Sequence, residues 1–155
     1  MAMKEFDYDL DYKKLNFTNE ETRKLYRIGR GEQGVLLVRP YTNDICAHWR
    51  FKTFHEAVIS VNKIYSMYED YLRDEDFIGM DMCRKFLEMG FTRARRYANH
   101  NSGRKYDSEG NVRPQEPDHA TSKYAQSAGI FKKIRDIVAK SEEYVTMRKQ
   151  WRANE

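Results

Sequence analysis

VLLVRPYTNDICAHWRFK, residues 35–52, is the stretch on which the fold class turns. Val35 to Pro40 is an apolar, β-branched run stopped by a proline, and Thr42-Asn43-Asp44 has turn composition. From Ile45 to Lys52 the side chains alternate, with Cys46, His48, Arg50 and Lys52 on one side and Ala47, Trp49 and Phe51 on the other. That pattern predicts an antiparallel pair with the aromatic side inward. Combined with the helical periods elsewhere, it predicts an α+β single domain of four to five helices and a small antiparallel sheet.

Working outward, the six residues before this run are GRGEQG, Gly29 to Gly34, a literal GxGxxG. A dinucleotide fingerprint needs a strand entering the glycines and a helix leaving them. Here a predicted strand leaves them, and the Lys and Ser/Thr of a Walker loop are missing. The glycines are therefore read as a tight loop that uses positive φ.

Upstream, Phe6, Tyr8, Leu10 and Tyr12 alternate with acidic residues, so residues 1–17 are read as an extended arm. Thr18 and Glu21 have capping-box spacing for a short helix, Asn19 to Tyr26. Downstream, Thr53 and Glu56 form a second capping box, opening a helix from Phe54 to Leu72 with Ala57, Val61, Ile64, Tyr68 and Tyr71 on its core side. A further helix runs from Asp76 to Met89 and ends at Gly90, with Met80, Cys83, Phe86 and Leu87 inward. Beyond a polar loop or hairpin at 99–118, Asp118 caps a helix from His119 to about Ala139, and Ser141 caps the last one.

The chain has 155 residues, which suits one domain, and 28 Lys and Arg against 24 Asp and Glu give a net charge of +4. Arg84 to Lys105 alone carries seven basic residues against Glu88, leaving 21 against 23 in the rest. Clustered cations of this kind suit a polyanion, because binding phosphates releases condensed counterions. The alternative is internal pairing with the acidic run near Asp70 to Asp81.

The densest part is FTRARRYANHNSGRKY, Phe91 to Tyr106. A helix from Phe91 to His100 places Phe91, Ala94 and Ala98 inward and Arg93, Arg96 and His100 outward, with Tyr97 beside them. Arg93, Arg96, Arg104 and Lys105 are the expected phosphate contacts, joined by Arg95 at the helix edge and by Arg50 from the second strand. Asn99, His100 and Asn101 supply neutral hydrogen bonds, while Tyr97 and Tyr106 offer rings for stacking on bases.

The expected function is thus polyanion binding, with nucleic-acid phosphates as the partner. Two alternatives stand beside it. One is an enzyme on a phosphorylated or nucleic-acid substrate, with His100 or His48 moving protons and Glu32, Asp81, Asp107 and Glu109 as scattered carboxylates. The other is an interaction or structural module with a protein partner. No GxSxG, HExxH or CxxC motif is present, and Cys46, His48, His55, Cys83, His100 and His119 lack zinc spacing, so no metal and no cofactor is assigned. The acidic start is unlike a signal or transit peptide, and no apolar run approaches membrane-spanning length. A reducing cytoplasm, with no membrane partner, is the expected setting.

At GRGEQGVLLVRPY, HWRFKT, FIGMDMCRKFLEMGFTRARRYANHNSGRKY and SAGIFKK the chain resembles a family of small proteins of bacteria and their phages, a domain of unknown function. The resemblance covers nearly the whole length. It implies a single-domain intracellular or phage-encoded protein and carries no catalytic residue onto these positions.

Overall fold

A computed structural model describes residues 5–155, and among them the chain is all-α. A 3-10 turn at Tyr12–Lys14 precedes α1 (Glu20–Arg23), α2 (Tyr41–Cys46), α3 (Phe54–Arg73), α4 (Phe77–Asn99), α5 (Lys123–Lys140) and α6 (Glu142–Ala153). Three of them, α3, α4 and α5, pack on one another, and α4 lies between the other elements as the most buried. Asp76 starts it by accepting from the Gly79 amide at 3.2 Å, the side-chain cap that satisfies an otherwise orphan donor. The same carboxylate takes Arg23 at 2.7 Å and the Tyr41 hydroxyl at 2.5 Å, so one cap ties α1 and α2 to α4.

The expected antiparallel sheet is absent: no strand occurs among the described residues, and the one β feature is an isolated bridge between Tyr106 and Val112. Residues 31–40 instead form successive turns leading into α2, with a cis Arg39–Pro40 bond. The side chains that bury are Val35, Val38, Tyr41 and Ile45, at steps of three and four, while Leu36 between them is exposed. That is the period of a helical surface, not the two-residue alternation of a strand. Thr42 locks the turn by accepting from the Val38 amide at 3.0 Å and donating to the Val35 carbonyl at 2.8 Å.

Gly90 does not end a helix either. α4 runs straight through it, because Gly90 is where the Phe131 ring of α5 lies against the α4 backbone; a Cβ there would meet that ring at 2.2 Å. Gly79 plays the same part for Tyr71 of α3, at 2.3 Å. Elsewhere the caps shift by a few residues. Asn19, not Thr18, caps α1, and Ser122, not Asp118, caps α5. Thr53 caps α3 and Ser141 caps α6 as the sequence indicates.

Of the arm, residues 1–4 lie outside the described residues. Phe6 and Tyr12 bury and stack on each other at 5.4 Å, and Tyr12 stacks on Phe17, bringing the arm against the glycine turn at Gly34. Residues 101–121 are irregular, organised by Asp107, whose carboxylate caps the amides of Glu109 and Asn111 at 2.9 Å.

Candidate functional site

The two halves of α4 offer two arrangements. On its C-terminal half, Phe86, Arg93 and Tyr97 fall on one side of the helix by spacing. Against that side lies the segment after α2. Trp49 donates its indole N–H to the Phe86 carbonyl at 3.0 Å, and Phe51 lies 5.9 Å from the Tyr97 ring. Tyr124 of α5 completes the cluster, stacked on Tyr97 at 5.2 Å and 29°. Trp49, Phe51, Tyr97 and Tyr124, all half-buried, line a groove of about 430 Å³ with Arg50, Lys52 and Glu56 at its edge. Sequence alternation sets Trp49 and Phe51 in the core of a sheet; they are instead walls of an open groove.

The residues expected to contact phosphate divide. Arg93, Arg96, Arg104 and Lys105 are exposed and form no ion pair among the described residues, and Lys105 lies over the Tyr106 ring at 5.6 Å. Arg95 is a brace, donating to the Asn99 side chain at 3.1 Å and to the His119 carbonyl. Arg50 is exposed but folds back onto the Trp49 carbonyl at 2.7 Å. His100 does not face solvent as the helical spacing predicts. It is the extended residue that ends α4, it is buried, and its Nδ1 lies 3.3 Å from the Pro114 carbonyl. Asn101 is exposed, with its amide on Glu116, and His48 is exposed just past the end of α2. Of the scattered carboxylates, Glu32 accepts from Thr92, Asp107 caps its own loop and Asp81 is sealed inside. Among the described residues no group of three or more His, Cys, Asp and Glu side chains is placed to hold a metal ion.

The N-terminal half of α4 holds what sequence reading missed. Asp81 and Lys85 have fully buried side chains, and Arg84 is nearly so. Arg84 donates Nε to Asp81 at 2.8 Å, Tyr144 of α6 donates its hydroxyl to the same oxygen at 2.6 Å, and the Tyr26 hydroxyl donates to the other. Lys85 stands 3.9 Å from Asp81, with Nζ 4.8 Å from the centres of both the Phe6 and Tyr26 rings. Burial alone would raise the Asp81 carboxyl, but the charges of Arg84 and Lys85 and the donated hydrogen bonds hold it at about 2. Burial pushes the Lys85 amine down to about 7, and Arg84 adds to that drop. Asp81 opposes it without prevailing, since its oxygens are already engaged at shorter range by Arg84 and two phenols. Those phenols are in turn driven upward, first by burial and then by the adjacent carboxylate. The available sign is the D-x-x-R-K spacing of residues 81–85, which puts all three charges on neighbouring turns of a stretch, 77–87, that is otherwise apolar.

Arg84 leaves this network through its other end, donating Nη1 to the Gly31 carbonyl at 2.9 Å. It thereby forms the inner wall of a cleft of about 460 Å³ between the Gly29–Gly31 turn and α6. The glycine turn is therefore placed against a charged helix, although no helix follows it directly and neither phosphate-binding motif is formed.

These features define an all-α protein built round one long helix, with a buried charge network at one end and a basic, aromatic surface at the other. The chain belongs to the family described as Domain of unknown function (DUF4385), whose profile matches residues 7–154. No curated protein and no solved structure matches it. No helix among the described residues is long and apolar enough to cross a membrane.

Proposed function

We propose that the protein binds single-stranded nucleic acid, seating a base in the groove of Trp49, Phe51, Tyr97 and Tyr124 and holding the adjoining phosphates with Arg93, Arg96, Arg50 and Lys52. The observation that carries this reading is the groove itself. Four half-buried rings line a concave surface, and Arg93 precedes Tyr97 by one helical turn on the same side of α4. Stacked rings take any base, and cations along the rim follow the backbone, which gives sequence-tolerant binding. Duplex nucleic acid keeps its bases stacked internally and would not reach the rings. The setting that accompanies this reading is the cytoplasm of a bacterium or a phage-infected cell, in which Cys46 and Cys83 stay unpaired as they are in the structure.

The test is fluorescence anisotropy with labelled single-stranded and duplex oligonucleotides, DNA and RNA, across a salt series. Trp49 emission is followed in a Trp151→Phe background. Single strands are expected to bind more tightly than duplexes and to quench Trp49. The Arg93→Ala/Arg96→Ala variant should flatten the salt dependence by roughly 0.7 in log–log slope for each phosphate it no longer neutralises. Tyr97→Ala should weaken binding by about ten-fold or more, since stacking contributes roughly 1–3 kcal/mol per base. Absence of binding at low salt, or equal binding by the double-arginine variant, overturns the reading.

A further inference from the structure

We propose that the cleft between the Gly29–Gly31 turn and α6 is a second, independent anion site, built for a phosphate group, either inorganic phosphate or the phosphate of a small monoester. Arg30, Arg84, Arg148 and Lys149 line it together with Gly29 and Gly31, and no carboxylate does. Arg148 and Lys149 form no ion pair or hydrogen bond among the described residues. Arg30 reaches Glu5 at 3.4 Å on the exposed outer side. Four cations round one concavity, two of them with no counter-charge of their own, repel one another, and a dianion relieves that repulsion.

Arg84 is what distinguishes the cleft from a chance grouping of surface lysines. Its guanidinium is fixed at Nε by the buried Asp81 carboxylate and at Nη1 by the Gly31 carbonyl, so its Nη2 edge is presented at one orientation. A fixed planar fork suits bidentate contact with phosphate oxygens and loses little freedom on binding. The wall opposite is backbone. Gly29 and Gly31 both hold positive φ, +68° and +53°, and at Gly31 the position a Cβ would take is open space. Their carbonyls would ordinarily repel an anion, but each is occupied by an arginine, Gly29 by Arg152 at 2.8 Å and Gly31 by Arg84 at 2.9 Å. A volume of about 460 Å³ exceeds a bare phosphate and leaves room for the group esterified to it.

The experiment is a titration of the full chain with inorganic phosphate at low ionic strength, read by amide and arginine Nε chemical shifts. Acetate at equal ionic strength serves as the control. Saturable shifts are expected at Gly29, Gly31 and Arg84 Nε with phosphate and not with acetate. Arg148→Gln/Lys149→Gln should weaken phosphate binding at least ten-fold, and Lys149→Glu, a single change at an exposed position, more than ten-fold. Equal responses to phosphate and acetate, shifts that do not saturate, or unchanged affinity in both variants overturn the proposal. The site stands apart from the aromatic groove: Arg93→Ala/Arg96→Ala should leave phosphate binding intact, and Arg148→Gln/Lys149→Gln should leave oligonucleotide binding intact. Failure of either site is thereby read without the other.

Discussion

Arg84 and Arg93 lie on the same helix, yet the two halves of α4 use arginine in opposite ways. Arg84 is enclosed, bonded to a carboxylate with no solvent exposure, and holds the glycine turn against the helix. Arg93 stands in water with no ion pair among the described residues. The difference comes from their neighbours on the helix surface. Asp81 precedes Arg84 by three residues and faces Tyr26 and Tyr144, whereas Arg93 has Met89 and Gly90 at those positions and nothing to pair with. At Arg84 most of the charge is tied into internal architecture, whereas Arg93 and Arg96 keep theirs in solvent.

The strongest way to break that contrast is to remove Asp81. Asp81→Ala strands the buried Arg84 and Lys85 without a counter-charge, a loss expected to cost about 3–5 kcal/mol. Urea unfolding measures it. Because the folded Asp81 carboxyl sits at about 2, below its unfolded value near 3.9, its contribution is present above about pH 4 and fades as pH falls through about 2. Asp81→Asn should remove that part of the acid sensitivity, and a comparison of acid titrations isolates it.

The next largest effect belongs to the helix contact between the two halves. Gly90→Ala would drive a methyl group into the fully buried Phe131 ring, and overpacking of this kind costs roughly 1–3 kcal/mol. A smaller partner should relieve it, so Gly90→Ala/Phe131→Leu is expected to lose less than the sum of the single changes. Additive losses would mean that α4 and α5 do not meet at this glycine.

Lys85 sharpens the same comparison through pH. Its amine, at about 7 when folded against about 10.4 unfolded, carries a penalty that is full below pH 7 and is relieved as pH rises toward 10. Its surroundings are the Phe6 and Tyr26 rings, Asp81, Arg84, Arg152 and Glu155. The wild-type protein should therefore gain stability between pH 7 and 10, by on the order of 1 kcal/mol per pH unit at most. Lys85→Met should flatten that rise; an unchanged slope would place the titration elsewhere.

Most of the helices are legible in the sequence because their signals are local. The Thr53 and Ser141 caps and the inward set of Met80, Cys83, Phe86 and Leu87 are stated by spacing alone. Residues 35–52 mislead because β-branched content outweighs period. Val35, Val38, Tyr41 and Ile45 recur at helical steps, but the turn that makes them bury depends on a threonine hydroxyl bonding its own neighbours. Gly90 misleads because a glycine that ends a helix and one that admits a ring from another helix look the same until Phe131 is placed. At the candidate site, the exposure of Arg93 and Arg96 is legible, while the burial of His100, the bracing of Arg95 and the cleft at Arg84 depend on segments distant in sequence, residues 114–119, 26–31 and 144–149.

The smallest effect is the most discriminating. If the C-terminal half of α4 carries its arginines for a partner, Arg93→Ala/Arg96→Ala should leave the folding free energy within about 0.5 kcal/mol of wild type, as exposed substitutions away from buried features do. The same variant should lose salt-sensitive binding to single strands. A structural role predicts the reverse, a stability loss with binding unchanged, as expected of Arg95, whose guanidinium joins α4 to the His119 carbonyl. Arg95→Ala is therefore the matched control on the same helical turn. Chemical denaturation and anisotropy on these two variants decide whether arginine density beyond Gly90 is surface for a polyanion or scaffold for the loop that follows.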